Sequence, residues 1–208
     1  MRFSKTALAL ACGLAFSAGA SGALIVDDGT GGSIPDSAES NDVLGDSTAS
    51  APAGFGANLY SDGDTQVTFE FLGFEAGFDN DFYVGDELVF SNKGSNASAA
   101  GETHTSVFSD GVLDFAFYSG GKDSFAHNGS NPNNELSGST DVNFFVAQDT
   151  ENFGEGLFLA FDDNGANDDD NHDDMAIRVT SSEVPEPGTL ALMGLGLAGL
   201  GVGYRRRS

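Results

Sequence analysis

Short apolar runs separated by turn-forming residues dominate residues 58–182 of the chain. Val67, Phe69 and Phe71 alternate with Thr68 and Glu70. Runs of similar length cover residues 112–118, 142–146, 157–161 and 175–179. Alternation with period two, and short apolar runs bounded by Gly, Asp, Asn and Ser, are typical of β-strands. Because no amphipathic stretch of helical length interrupts them, the pattern predicts a nearly all-β domain.

Phenylalanine dominates the apolar positions of these predicted strands. The chain has 18 phenylalanines and no tryptophan, so we expect a phenylalanine-rich core. The candidate core residues are Phe69, Phe71, Phe115, Phe117, Phe144, Phe158 and Val179. Short strands at this spacing favour an antiparallel β-sandwich, jelly-roll-like in the more specific form. The sequence shows no repeat of constant period that would favour a propeller or β-helix, and it does not reveal the strand order.

Residues 24–57, which precede the predicted sandwich, are mostly polar. Between residues 27 and 53 the sizeable apolar side chains are Ile34, Val43 and Leu44, among Asp, Ser, Gly and Ala. So few apolar residues can bury little surface. We therefore expect a loop or loosely packed arm over this range.

The amino terminus has the order of a secretory signal peptide. Arg2 and Lys5 precede an apolar run at residues 7–16, and small residues follow up to residue 23. Cleavage after Ala20 and cleavage after Ala23 both fit this pattern. Cys12 is the one cysteine of the chain and lies in the apolar run, so the exported chain would have no thiol. This excludes disulfides, cysteine nucleophiles and thiolate metal ligands from the mature protein.

Residues 184–208 combine three features in a fixed order. A Val-Pro-Glu-Pro-Gly segment comes first, an apolar run at residues 189–204 follows, and three arginines and a serine end the chain. The prolines separate the domain from the helix-forming run, and the arginines favour a cytoplasmic location for the far end. As a helix the run would span roughly 24 Å, against about 30 Å for an apolar bilayer core. This predicts a short transmembrane helix.

This tail closely resembles the PEP-CTERM sorting signal. The residues that carry the resemblance are Pro185, Glu186, Pro187, Arg205, Arg206 and Arg207. The resemblance implies export, transient anchoring in the inner membrane and processing by an exosortase-type protease. It also implies a Gram-negative bacterium that makes extracellular polysaccharide, and a role at the cell surface or in the matrix. The segments at residues 69–90 and 158–179 resemble stretches of some exported PEP-CTERM proteins, without a defined biochemistry.

The charge between the two end signals is strongly negative. Residues 24–184 contain 31 acidic residues and only three basic ones, Lys93, Lys122 and Arg178, which gives a net charge of −28. Such a balance argues against nucleic acid and anionic lipid as partners, because both would be repelled. It favours cations, which would offset the self-repulsion of the folded chain.

Seven aspartates crowd into the thirteen residues 162–174, between two predicted strands. Converging carboxylates raise the pKa values of one another, whereas Ca²⁺ takes six to eight oxygen ligands and would reverse that cost. The favoured ligands are Asp162, Asn164, Asp170, Asp173 and Asp174, followed by Asp163 and Asp168. The alternative is a solvated loop whose aspartates point into water.

The spacing of this loop is not that of an EF-hand. Counted from Asp162, the sixth and twelfth positions hold Asn167 and Asp173 instead of Gly and Glu. A smaller group, Asp79, Asn80 and Asp81, is interpreted as a turn in preference to a second metal site.

An esterase and a zinc-binding site are two further alternatives. Gly45-Asp46-Ser47, Gly165-Ala166-Asn167-Asp168 and Asp169-Asp170-Asn171-His172 superficially match blocks of GDS-type esterases, but without the α/β context of that fold. His104, His127 and His172 have no zinc-binding spacing, and the first two are interpreted as loop residues.

Two functions remain. The leading hypothesis is a non-enzymatic, exported surface or matrix protein stabilised by calcium. The alternative is a module that binds polysaccharide. Aromatic side chains on which sugars could stack are scarce, because the chain has no tryptophan and its mature part has only three tyrosines, Tyr60, Tyr83 and Tyr118.

Overall fold

Antiparallel strands make up nearly all of the regular structure. The computed structural model describes residues 23–34, 43–133, 141–165 and 172–184. Within these ranges there are fifteen strands and one short 3-10 helix, Gly94–Asn96. The strands are β1 (Ala23–Asp27), β2 (Gly32–Ile34), β3 (Ser47–Ala49), β4 (Gly54–Phe55), β5 (Asn58–Asp62), β6 (Thr65–Gly73), β7 (Asn80–Val84), β8 (Glu87–Ser91), β9 (Thr103–Phe108), β10 (Gly111–Val112), β11 (Phe115–Ser119), β12 (Ser124–His127), β13 (Asn143–Thr150), β14 (Gly154–Asp162) and β15 (Met175–Glu183).

The described strands form three sheets. An eight-stranded sheet has the order β2-β3-β13-β14-β15-β6-β9, with β4 also paired to β13. A four-stranded sheet has the order β12-β11-β7-β8, and a small sheet has the order β1-β5-β10. Their ladders are antiparallel. The all-β antiparallel sandwich that the sequence predicts is therefore confirmed.

The main core lies between the eight-stranded and four-stranded sheets. Alternate residues of β6, among them Phe69, are buried. The Phe69 ring lies 5.2 Å from that of Phe82 in β7. Phe117 of β11 stacks on Phe161 of β14 with ring centroids 4.7 Å apart. Each such ring contributes roughly 1.5–3 kcal/mol by leaving water.

The predicted core residues are all buried. Phe69, Phe71, Phe115, Phe117, Phe144, Phe158 and Val179 are each at most 3% exposed. Six of them belong to the main core, whereas Phe158 belongs to a second apolar cluster on the other face of the eight-stranded sheet.

Residues of the predicted arm cover that second face. Ile34 and Leu44 are 1% and 0% exposed and pack with Phe55, Phe145 and Phe158. The expectation of a loosely packed arm is wrong for its described part, which contains β1 to β4. The physical reason is that β13 presents buried side chains on both faces, so its outer face needs an apolar cover that these few residues supply.

Both ends of the chain fall largely outside the described residues. Three predicted features lie outside the described residues. They are the signal peptide (except Ala23), the helix at residues 189–204 and the six residues of the sorting signal. In the ranges that the structure describes, no helix has the length and apolar character needed to cross a bilayer.

Candidate metal centre

The antiparallel pairing of β14 with β15 brings the two ends of the acidic loop together. Phe161 and Met175 are partners in this ladder. Asp162 ends β14, and Asp173 and Asp174 immediately precede β15. The strand register therefore places predicted ligands from both ends of the loop at one end of the sandwich.

Asp162 is buried and shapes the start of the loop. Its Oδ1 accepts hydrogen bonds from the backbone N–H groups of Asn164 at 2.9 Å and Gly165 at 2.6 Å. The Asn143 amide donates to its Oδ2 at 3.4 Å. Gly165 has a φ of +71°, which glycine adopts without strain. One role of Asp162 is thus to form the turn after β14.

Asp163 and Asp174 lie beside each other. The backbone N–H of Asp163 donates to Oδ2 of Asp174 at 2.8 Å, and Asp163 is 3% exposed. Burial, and then repulsion from the Asp163 carboxylate, raise the pKa of Asp174 to about 9. At neutral pH this carboxyl group therefore holds a proton unless a cation takes its place.

Asn80 connects this carboxylate pair to the four-stranded sheet. Its Nδ2 donates to Oδ2 of Asp163 at 2.7 Å, and its side chain is fully buried. Ser119, its partner in the β7–β11 ladder, donates its hydroxyl to the backbone oxygen of Asp163 at 2.9 Å. Within the described part of the chain the Oδ1 of Asn80 has no hydrogen-bond partner. A buried amide oxygen in this position suits an oxygen-binding cation such as Ca²⁺.

Asp173 and His172 are buried on the other side of the loop. The backbone oxygen of Asp173 accepts from the Glu75 N–H at 2.8 Å. The Nε2 of His172 lies 2.9 Å from Oδ1 of Asn143, and the ring meets Phe55 edge-on at 5.6 Å. His172 has a φ of +55°, so the chain turns sharply there.

The structure thus brings together five of the seven predicted ligands, Asp162, Asp163, Asn164, Asp173 and Asp174. Asp168 and Asp170 lie outside the described residues. Among the side chains that are described, no three histidines, cysteines or carboxylates are arranged to hold a metal ion. The described residues by themselves therefore give a buried acidic cluster that is held by backbone and amide hydrogen bonds.

Two smaller predictions are corrected. Asn80 and Asp81 are the first residues of β7 and not a turn, because they pair with Ser119 and Tyr118 of β11. His104 and His127 lie in β9 and β12 and not in loops. Both strands are short and carry few apolar residues, so alternation alone did not identify them.

Asn80, Ser119 and Asn143 are residues of the cluster that sequence reasoning missed. Asn80 is 83 positions away from Asp163 along the chain. Its only signal was its place in the Asp79-Asn80-Asp81 group.

Comparison with known proteins gives one match. Residues 183–207 fit the model of the PEP-CTERM protein-sorting motif. No curated protein and no solved structure matches the chain. The motif implies export, a membrane-associated sorting step and exosortase processing. The chain thus carries a PEP-CTERM protein-sorting motif at residues 183–207, which supports sorting through a C-terminal signal.

Proposed function

We propose that the chain is a non-enzymatic protein of the cell surface or extracellular matrix of a Gram-negative bacterium. In this proposal it is exported, held transiently in the inner membrane and then released by exosortase-type processing. The observation that carries the proposal is the sorting motif at residues 183–207, which begins at the last residue of β15. The unit that precedes the motif is the part that remains after processing.

The buried position of Ser47 supports a non-enzymatic role. Ser47 is fully buried in β3, and its hydroxyl donates to the backbone oxygen of Gly45 at 3.2 Å. A nucleophile must reach the substrate and a general base. A hydroxyl that closes its own turn inside the fold is poorly placed for that task.

Replacement of the Pro-Glu-Pro triplet tests the sorting step. Pro185, Glu186 and Pro187 are changed to alanine in the full-length chain, and the size and location of the protein are followed by cell fractionation and immunoblotting. Wild type should leave the membrane fraction and lose mass. The variant should stay in the membrane fraction at the unprocessed mass, because the processing site has been removed.

A matched control for this experiment is alanine at Ser181 and Ser182, two exposed residues of β15 just before the motif. This control should be processed like wild type. Release of the triplet variant at the wild-type mass would contradict the proposed route.

Calcium binding by the acidic loop belongs to the same proposal. Asp163 and Asp174 supply carboxylate oxygens, and the buried Oδ1 of Asn80 supplies an amide oxygen beside them. Asp168 and Asp170, with Asp162, Asn164 and Asp173, complete the predicted ligand set. A bound Ca²⁺ would replace the proton on Asp174 and compensate the repulsion between the two carboxylates. The role of the ion here is structural.

The thermal unfolding midpoint of the full chain tests the calcium site. We expect a saturable rise when Ca²⁺ is added after EGTA, because an ion that binds only the folded state stabilises it by mass action. Mg²⁺ at equal ionic strength should give a smaller rise, since it releases its water reluctantly and needs octahedral geometry. Asp163→Asn combined with Asp174→Asn should abolish the calcium response.

The control variant carries Asp62→Asn and Asp64→Asn, two exposed carboxylates at the end of β5 and in the turn that leads to β6. It replaces the same number of carboxyl groups and should retain the calcium response. Equal rises of the unfolding midpoint with both ions, or equal loss of the calcium response in both variants, would show that the ions only screen the negative charge of the chain.

Polysaccharide binding is the second candidate function. The observation that favours it is a group of aromatic side chains on the outer face of the four-stranded sheet. Phe125 is 46% exposed, and its ring lies 4.8 Å from Tyr118 and 5.9 Å from Tyr83. Exposed rings on a sheet face can carry the apolar faces of sugars.

A further inference from the structure

A surface groove lies next to these aromatic side chains, where β7 meets β11. Its volume is about 470 Å³, within the roughly 300–1,000 Å³ that is usual for small-molecule sites. The lining includes the rings of Phe78 and Tyr118, the carboxylates of Asp79 and Asp81, and the ammonium group of Lys93. These residues combine apolar ring faces with charged hydrogen-bonding groups.

Phe78 is held with one ring face against the protein. A Cβ atom on Gly121 would lie 2.3 Å from the Phe78 ring, so the ring rests directly on the glycine backbone. The Asn92 amide donates to the backbone oxygen of Phe78 at 3.0 Å, and the Gly120 N–H donates to that of Asp79 at 2.8 Å. The Phe78 side chain is nevertheless 40% exposed. The fold therefore fixes an aromatic ring in place and leaves part of it open to the groove.

Tyr118 is the second ring of the groove, and its position is also fixed. Its hydroxyl donates to Oδ1 of Asp123 at 2.9 Å. Asp81 is its direct partner across the β7–β11 ladder, and Phe125 is its partner across the β11–β12 ladder. Side chains of directly opposed residues lie on the same face of a sheet. Phe125, Tyr118 and Asp81 thus form a row across β12, β11 and β7, and this row continues from the groove.

The charges of the groove select against anionic ligands. Lys93, the one cationic side chain among the described residues that line the groove, forms an ion pair with Asp79 at 3.2 Å. Asp81 also hydrogen-bonds Tyr83, but a carboxylate has two oxygens with several lone pairs, so it can still accept from ligand hydroxyl groups beside the Tyr118 ring. With a net charge of −28 on residues 24–184, an anionic polysaccharide would be repelled. A ligand with hydroxyl donors, apolar ring faces and no negative charge fits these groups.

We infer that this groove binds a neutral sugar unit of a polysaccharide, which stacks on Phe78 and Tyr118 and donates hydroxyl hydrogen bonds to Asp79 and Asp81. The inference rests on the second candidate function and names its site and ligand class. It adds Phe78, Asp79, Asp81 and Gly121 as the residues that determine recognition.

Affinity electrophoresis of the full chain tests the inference. The protein is run in native gels that contain laminarin, dextran, hydroxyethyl cellulose or galactomannan as neutral polymers, and alginate or polygalacturonate as anionic ones. A polyoxyethylene detergent keeps the chain in solution without offering a sugar headgroup. At least one neutral polymer should retard wild type relative to a polymer-free gel, and the anionic polymers should not.

Matched variants locate the binding. Phe78→Ala should raise the apparent Kd for the retarding polymer about fivefold, because an aromatic stacking contact is worth about 1 kcal/mol. Phe74→Ala removes a ring of nearly equal exposure, 39%, that does not line the groove, and it should bind like wild type. Asp81→Asn should weaken binding, whereas Asp86→Asn, an exposed carboxylate outside the groove, should not.

Thermal unfolding of each variant shows that the fold is intact. Lack of retardation by every neutral polymer would overturn the inference, as would stronger retardation by the anionic polymers or wild-type binding by Phe78→Ala. None of these results would change the fractionation of the Pro-Glu-Pro variant or the calcium response. Failure of the groove is therefore distinguishable from failure of the sorting and calcium proposals.

Discussion

At the scale of single residues, Asn80 is where the buried carboxylates meet the surface groove. Its backbone N–H donates to Oδ1 of Asn92 at 2.6 Å, and the Asn92 amide in turn holds Phe78. Its side-chain amide donates to Asp163. Two hydrogen-bonded residues, Asn80 and Asn92, therefore connect the Asp163 carboxylate to the loop that carries Phe78. Occupation of the acidic cluster should affect the order of that loop.

The raised pKa of Asp174 predicts an unusual dependence of stability on pH in EGTA. Its carboxyl group faces those of Asp163, Asp162 and Asp173, and its folded pKa of about 9 lies far above that of an unfolded chain, about 4. The folded state then binds a proton that the unfolded state has released. Stability should fall as pH rises from about 4 to about 9, by up to about 1.4 kcal/mol per pH unit.

Asp174→Asn removes this proton, so its stability in EGTA should depend less on pH over the same window. Urea unfolding at pH 5, 6, 7 and 8 measures the two slopes. Asp62→Asn, at an exposed site, should keep the slope of wild type. Identical slopes in wild type and Asp174→Asn would show that the carboxyl group of Asp174 titrates normally.

At the scale of elements, buried asparagines join strands of different sheets. Asn128 follows β12, and its Oδ1 accepts from the Leu59 N–H at 2.8 Å. Its Nδ2 donates to the backbone oxygens of Leu59 at 2.7 Å and Leu113 at 2.8 Å. The amide therefore satisfies backbone groups of the small sheet much as a neighbouring strand would. Asn131 makes similar contacts with Ala57 and Phe144.

Asn128→Ala should lower the free energy of unfolding by about 1–3 kcal/mol, the cost of one unsatisfied buried group. The alanine leaves the N–H of Leu59 without this partner, whereas the backbone oxygens of Leu59 and Leu113 still accept from the N–H groups of Leu113 and Phe115. Urea unfolding in calcium-free buffer measures the change. Asn152→Ala removes an exposed amide that donates to the backbone oxygen of Val43, and should cost less than about 1 kcal/mol. Equal costs would mean that the three bonds of Asn128 contribute no more than a surface contact.

At the scale of the whole molecule, the sequence predicts what depends on local pattern. Alternation around Phe69 identifies β6, and the density of aspartates at residues 162–174 identifies the acidic turn. It does not predict pairings between distant positions, such as Asn80 with Asp163 or Ile34 with the outer face of the eight-stranded sheet. Edge strands such as β9 are also not predicted. Most residues of β9 are polar, so its sequence lacks the alternation of apolar and polar residues that identifies a strand. These features arise only when the sheets pack.

The position of β15 has a mechanical consequence. This strand leads into the sorting tail, yet it lies inside the eight-stranded sheet, between β14 and β6. Its last residues, Ser182 and Glu183, are still paired with Gln66 and Thr65 of β6. A strand held on both sides cannot peel away as an edge strand can. If the tail is held at a membrane or by a protease, as we propose, a pulling force on it would be borne by the ladders on both sides of β15, so the folded unit would resist extraction from that end.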